Sequence, residues 1–317
     1  MAYKITQDLG GKTAVVTGTG GIAYAAALAL ARAGAAVIVA GRNPEHGAEA
    51  LQKIRDAAPD AAVQFELLDL ADDGSIFQFA ERLKKKLSAI DMLLCVAGVM
   101  MPEKLSRTKE GVELQFAANY LGHFALTLRL LPLLNAADGP CGGGARVVTV
   151  SSIANRPVRF DLADATGARG YDASVSYALS KLACLQFAVE LNARCQKRGF
   201  PTTAYCAHPG FANTKLFSHS HNPLMTFFRW TFVVLPFLRQ SAARAAEPAL
   251  LCATSPDAVP GGYYGPMFTI MGPPRRCAMP GRAKSGKDRD ALWNRSERLS
   301  GVTWKKSAVL AQKPPTR

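Results

Sequence analysis

The sequence predicts an α/β fold, a doubly wound parallel sheet with helices on both faces, and three observations lead there. Short, mostly apolar runs alternate with longer helix-forming segments along most of the chain. Most of the runs are continuously apolar, as expected of strands buried on both faces. A glycine-rich stretch, TGTGGIA (17–23), closes the first run and opens an Ala-rich segment. That is the strand–loop–helix order in which backbone N–H groups at a helix N-terminus can meet a phosphate.

The elements follow in order. TAVVT (13–17) is a first strand and 22–33 an Ala-rich helix; AVIVA (36–40) is a second strand and 44–57 a helix. VQFELL (63–68) is a third strand, followed by a helix over 72–87 that Asp72 or Asp73 can cap. DMLLCV (91–96) gives a fourth strand and 110–135 a long helix. ARVVTV (145–150) is a fifth strand, 174–197 a helix, and TTAYC (202–206) a sixth strand. No repeat or linker interrupts this order before about residue 215. The expectation is one catalytic domain over 1–275 and a basic extension over 276–317.

With 317 residues, 49% of them hydrophobic and 20% charged, the chain has the composition of a folded globular protein. The first residues lack an apolar core of signal-peptide length, and no stretch is long and apolar enough to span a bilayer. Seven scattered cysteines without C-x-x-C pairing argue against a disulfide framework and for a reducing, cytoplasmic setting. The net charge is +14, and residues 275–317 hold twelve Lys/Arg against three Asp/Glu. The excess therefore reads as a solvated tail, and no nucleic-acid partner is expected. His219 and His221 stand two apart without a third ligand nearby, so no metal site is expected.

After the sixth strand the pattern changes. PLMTFFRWTFVVLPFL (223–238) is a dense apolar patch. Ligands of open α/β sheets bind beyond the carboxyl ends of the strands, so the segment around 213–240 reads as a helical lid over a hydrophobic small-molecule substrate. A subunit interface of a homo-oligomer and peripheral membrane contact are the competing readings of the patch.

The remaining motifs are specific. AGRN (40–43) closes the second strand, LDL (68–70) the third, and CVAG (95–98) the fourth. FAANYLGHFALT (116–127), RVVTVSS (146–152), YALSK (177–181), HPGFANT (208–214) and LWNRSERL (292–299) follow in that order. Together they resemble the short-chain dehydrogenase/reductase superfamily, and within it the retinol-dehydrogenase-like branch. The resemblance covers nearly the whole chain and implies a Rossmann-type fold, a nicotinamide cofactor and hydride transfer. It implies a catalytic set of Asn119, Ser152, Tyr177 and Lys181. Tyr177 and Lys181 lie four apart on one helix face, where an ammonium favours a phenolate. Ser152, at the mouth of the fifth strand, can hold a substrate carbonyl. In the family the asparagine anchors water for a proton relay behind the lysine.

The cofactor set implied is Gly18, Thr19, Gly20, Gly21 and Ile22 for the pyrophosphate, and Asp69 and Leu70 for the adenine. Val96, Ala97 and Gly98 floor the adenosine side, and Tyr177 and Lys181 lie at the nicotinamide ribose. Pro209, Gly210, Phe211 and Thr214 lie at the carboxamide. Where NAD-dependent members carry an acid at the end of the second strand, this chain has Gly41, followed by Arg42 and Asn43. Without a carboxylate and with a guanidinium, NADP(H) is favoured. Two positions depart from the family pattern. The glycine loop is one residue short and ends in Ala23, and N-N-A-G has become Cys95-Val96-Ala97-Gly98. The expectation is a working NADP(H)-dependent oxidoreductase acting on a hydrophobic aldehyde, ketone or alcohol. The alternatives are a family member doing elimination, isomerisation or cyclisation, and a cofactor-binding pseudoenzyme.

Overall fold

A computed structural model describes residues 2–155, 170–211 and 240–311. Eight strands form one sheet: β1 (Thr13–Thr17), β2 (Ala36–Gly41), β3 (Val63–Leu67), β4 (Met92–Cys95), β5 (Arg146–Val150), β6 (Thr203–Ala207), β7 (Tyr263–Pro266) and β8 (Pro274–Arg276). Their spatial order is β3-β2-β1-β4-β5-β6-β7-β8, parallel throughout except for the antiparallel β7–β8 pair. The chain reverses its winding between β1 and β4. At such a switch point a crevice opens beyond the carboxyl ends of the strands.

Side chains alternate along each strand and feed two cores. On β1, Val15 faces one layer while Ala14 and Val16 face the other. The first layer takes α3 (Asp73–Lys86), α4 (Gly122–Asn135) and α5 (Ala173–Arg198), with Phe79, Phe124, Leu128 and Phe187 in its centre. The second takes α1 (Gly21–Arg32), α2 (Pro44–Ala57) and α6 (Ala242–Thr254). Here the Ala-rich faces of α1 and α6 (Ala26, Ala27, Ala246, Ala249) are buried in the same core, since methyl-sized side chains allow close packing. The helix ends have local causes. The Asn43 side chain accepts from the His46 N–H with Pro44 at the first helical position of α2, Asp72 caps α3, and Asp172 caps α5. Gly199 ends α5 in the left-handed region at φ 67°.

Two expectations need correction. The helix expected over 110–135 starts at Leu114 and is not uniform: a turn at Leu114–Phe116 runs into a π-turn, Ala117–Leu121, before α4. The described part of the basic C-terminal region, up to Ala311, is not a solvated extension. β8 crosses position 275, and α7 (Gly281–Lys284), α8 (Gly286–Ser300) and α9 (Trp304–Ala311) follow it. Trp293 is 1% exposed and meets Phe124 edge-on, with ring centroids 5.0 Å apart. Arg194 stacks 4.2 Å above the Trp293 ring, and Ser296 Oγ lies 2.6 Å from Tyr120 Oη. Leu292, Trp293 and Ser296 form a helical stripe that faces inward, while the basic residues around them stay at the surface.

No helix among the described residues is long and apolar enough to cross a membrane. The lid and the apolar patch (apart from Gln240), Thr214, His219, His221 and the stretch 156–169 lie outside the described residues.

Candidate active site

A cleft of about 940 Å³ opens at the switch point and runs from the β1–α1 loop to the N-terminal half of α5. Gly18, Thr19, Gly20, Gly21 and Ile22 line one end, with Arg42 and Asn43 beside them. Asp69, Leu70, Val96, Ala97 and Gly98 form its floor, and Ser152, Tyr177, Lys181, Pro209 and Gly210 line the other end. Asn119 stands just behind the wall, 1% exposed. Phe211 does not line the cleft; its N–H donates to the Ile270 carbonyl at 2.9 Å.

The shortened glycine loop is built without obstruction. Gly18 takes φ +102°, and a Cβ there would lie 2.9 Å from Ala23 Cβ, so the methyl group of Ala23 packs against Gly18 and leaves no room for a side chain at that position. Gly20 is the N-cap of α1, and a Cβ on it would meet nothing within 4 Å. Among the described residues, no acceptor takes the backbone N–H of Thr19, Gly20, Gly21 or Ile22. Four unpartnered donors at the positive end of a twelve-residue helix suit an anionic group. Cys95 is 2% exposed and packs in the core, taking the bracing place as an apolar residue.

At the far end, α5 carries Tyr177 and Lys181 on one face, with Lys181 Nζ 5.8 Å from the Tyr177 ring centroid. Lys181 Nζ donates to the Val150 carbonyl at 2.9 Å, which ties α5 to the mouth of β5. Ser151 and Ser152 diverge. Ser151 Oγ is buried and donates to the Lys181 carbonyl at 2.6 Å. Ser152 is partly exposed and accepts only the Ala154 N–H, at 3.3 Å, among described residues. The hydroxyl proton of Ser152 is therefore available to a ligand.

Asn119 lies in the π-turn, a helix irregularity frequent at functional sites. Its Oδ1 accepts the Val99 N–H at 2.7 Å, and its Nδ2 donates to the Val99 carbonyl at 2.9 Å and to Ser180 Oγ at 3.0 Å. A Cβ on Gly98 would lie 2.7 Å from Asn119 Oδ1 and 3.7 Å from Lys181 Nζ, so only glycine lets the β4 exit strand pass between them.

Several contributors carry no sequence signal of their own. Thr17 Oγ1 accepts the Val96 and Ala97 N–H groups at 2.9 and 3.1 Å and fixes the cleft floor. Tyr24, His46, Glu49 and Lys53 line the end beside Arg42, and helical spacing from Asn43 puts three of them on α2. Among the described residues, no group of three or more His, Cys, Asp or Glu could hold a metal ion.

The sheet order, the glycine cradle and the Ser–Tyr–Lys end of the cleft define a dinucleotide-binding α/β protein, and a family model for short chain dehydrogenase matches residues 12–223. The chain belongs to that family and is an oxidoreductase of the retinol-dehydrogenase-like branch. It is 35% identical over 297 residues to retinol dehydrogenase 12 of Mus musculus, covering 93% of this chain and 88% of that one. It is 39% identical over 210 residues to polyprenol dehydrogenase of Homo sapiens, covering 66% and 63%. Among solved structures, an uncharacterized protein from Mycobacterium paratuberculosis superposes with a TM-score of 0.78 at 31% identity, covering 96% of this chain and 99% of that one.

Proposed function

We propose that the protein is an NADP(H)-dependent oxidoreductase that interconverts a hydrophobic alcohol with its aldehyde or ketone. The observation that carries this reading is the convergence, on one cleft, of an unobstructed diphosphate cradle with Ser152, Tyr177 and Lys181. Preference for the 2′-phosphate rests on the end of β2. A Cβ at Gly41 would lie 2.8 Å from Thr19 Cγ2, so an acidic side chain there requires Thr19 to move. Arg42 stands next to it at the N-terminus of α2, where a guanidinium and a helix dipole both favour added negative charge. The names of the relatives, retinol and polyprenol dehydrogenases, support an apolar substrate.

A nicotinamide held beside Tyr177, Lys181, Pro209 and Gly210 would supply the hydride for a carbonyl carbon or accept the one a carbinol carbon releases. The chain's own residues handle the oxygen. In the reducing direction the Ser152 hydroxyl donates a hydrogen bond to the carbonyl oxygen, and Tyr177 delivers the proton as negative charge develops there. Lys181, buried and held by Val150, keeps a positive charge beside the tyrosine ring and balances the phenolate left behind. Asn119 fixes the strand end that separates it from Lys181.

The test is a fluorescence titration with NADPH and with NADH, followed by a screen of long-chain aldehydes. NADPH-selective binding that Arg42→Ala weakens supports the reading. Binding of neither nucleotide defeats it, and product formation without NADPH oxidation replaces it with non-redox chemistry.

A further inference from the structure

His123 is one turn beyond Asn119, 2% exposed, and both of its ring nitrogens are engaged. Nδ1 lies 2.9 Å from the Asn119 carbonyl, and a carbonyl can only accept, so the proton sits on Nδ1. The neutral ring then offers Nε2 as an acceptor, and Thr17 Oγ1 lies 2.9 Å from it. Thr17 Oγ1 accepts the two N–H groups of Val96 and Ala97, so its own proton is free to go to Nε2, with the Leu94 carbonyl a longer alternative at 3.3 Å. Burial holds the imidazole well below its ordinary range, down to about 4, and the Lys181 charge adds to that effect. A neutral ring with one donor and one acceptor nitrogen satisfies every atom in this arrangement.

These bonds close a ring behind the floor of the cleft. The Asn119 side chain pairs with both backbone groups of Val99. The chain runs back through Gly98 to Ala97 and Val96, which donate to Thr17. Thr17 donates to His123, and His123 donates to the Asn119 carbonyl. Cys184 of α5 adds a second donor to the same carbonyl, with Sγ at 3.2 Å. We infer that His123 is a positioning residue for hydride transfer: it clamps the Asn119 carbonyl in the π-turn and ties it, through Thr17, to the floor of the cofactor cleft. The inference rests on the oxidoreductase reading, because a rate has meaning only if the cleft holds NADP(H).

The ring also predicts which quantity changes. Removing the imidazole leaves Thr17 bonded to Val96 and Ala97, so the floor keeps its shape and cofactor binding survives. The carbonyl of Asn119 keeps only the weaker Cys184 donor and loses the stronger of its two side-chain restraints, so the chemical step slows. One lost buried hydrogen bond at this place corresponds to about tenfold in rate.

The experiment uses the full chain and compares His123→Leu, which fills the space without either bond, with His123→Asn, whose short amide can still donate to the carbonyl four residues back. NADPH dissociation constants, single-turnover hydride transfer and unfolding midpoints are read on each, with the imidazole ¹⁵N shifts of the unsubstituted protein. The expected result is a leucine variant that binds NADPH within about threefold of the parent yet transfers hydride about tenfold more slowly. The asparagine variant recovers a substantial part of that loss, and the ¹⁵N shifts show an Nδ1–H tautomer. An unchanged transfer rate, a loss that follows unfolding alone, or an Nε2–H tautomer overturns the inference. If the leucine variant does not fold, the asparagine variant and the tautomer decide. If the unsubstituted protein binds no nucleotide, the oxidoreductase reading fails first and this inference falls with it.

Discussion

Replacing Gly20 with alanine separates folding from cofactor binding. Gly20 has φ −134° and ψ 174°, an extended conformation open to any residue, and its added Cβ meets nothing within 4 Å. Restricting the unfolded chain stabilises by about 0.4–1 kcal/mol, while alanine is a poorer N-cap than glycine by an amount of similar order. The two terms offset, so the unfolding free energy is expected to stay within about 1 kcal/mol of the parent. A methyl group in the cradle, however, holds a diphosphate away from the Thr19–Ile22 N–H groups. Overpacking a tight contact costs about 1–3 kcal/mol, or about five- to 150-fold in affinity. Urea unfolding and NADPH fluorescence titration on the same preparation read both quantities. Gly18→Ala is the contrasting control, because its Cβ would lie 2.9 Å from Ala23 Cβ at φ +102° and should destabilise the fold itself. Unchanged NADPH affinity in a folded Gly20→Ala protein would refute the placement of the diphosphate.

Tyr177→Phe should leave NADPH binding in place and lower turnover by at least about 10²-fold, since a proton donor is lost and the apolar ring remains; matched binding and steady-state assays check this. Arg42→Ala should weaken NADPH about tenfold and leave NADH within about twofold, as comparative titrations would show. Trp293→Ala empties a site that is 1% exposed between α4 and α5 and should cost about 3–5 kcal/mol, seen as a lower unfolding midpoint. His123 also sets an acid limb. Its folded-state value is depressed from 6.5 to about 4, so between those limits the unfolded chain binds more protons than the folded one. Stability therefore falls as pH drops from 6.5 toward 4, by roughly 3 kcal/mol from this group, and His123→Asn should flatten that limb in urea unfolding across the window.

Much of the fold was legible because buried parallel strands and capped helices leave local marks. TAVVT and the Asn43–Pro44 helix start coincide with β1 and α2. The cleft end formed by Ser152, Tyr177 and Lys181 was legible through spacing and the motifs around it. The rest depends on distant partners or on patterns outweighed by others. The short β7 and β8, with glycine and prolines, carry no strand period. The π-turn at Asn119 has no residue signature, because a helix-compatible sequence fills it. His123 reads from the sequence as simply packed. Its role depends on Thr17, 106 residues earlier, which no local period can reveal. LWNRSERL marked the segment around Trp293, but its burial depends on Phe124 and Phe187, far away in the sequence.

Hydride transfer at the Tyr177 end of the cleft is tested most directly with NADPH deuterated at C4 on each face in turn. The protein is mixed with a long-chain aldehyde and the alcohol is examined by mass spectrometry. Deuterium from one face is expected on the carbinol carbon, and Tyr177→Phe is expected to suppress the transfer while NADPH still binds. Product alcohol without deuterium from either face, or bound NADPH that reduces none of a broad set of apolar carbonyl compounds, would contradict hydride transfer at that end of the cleft.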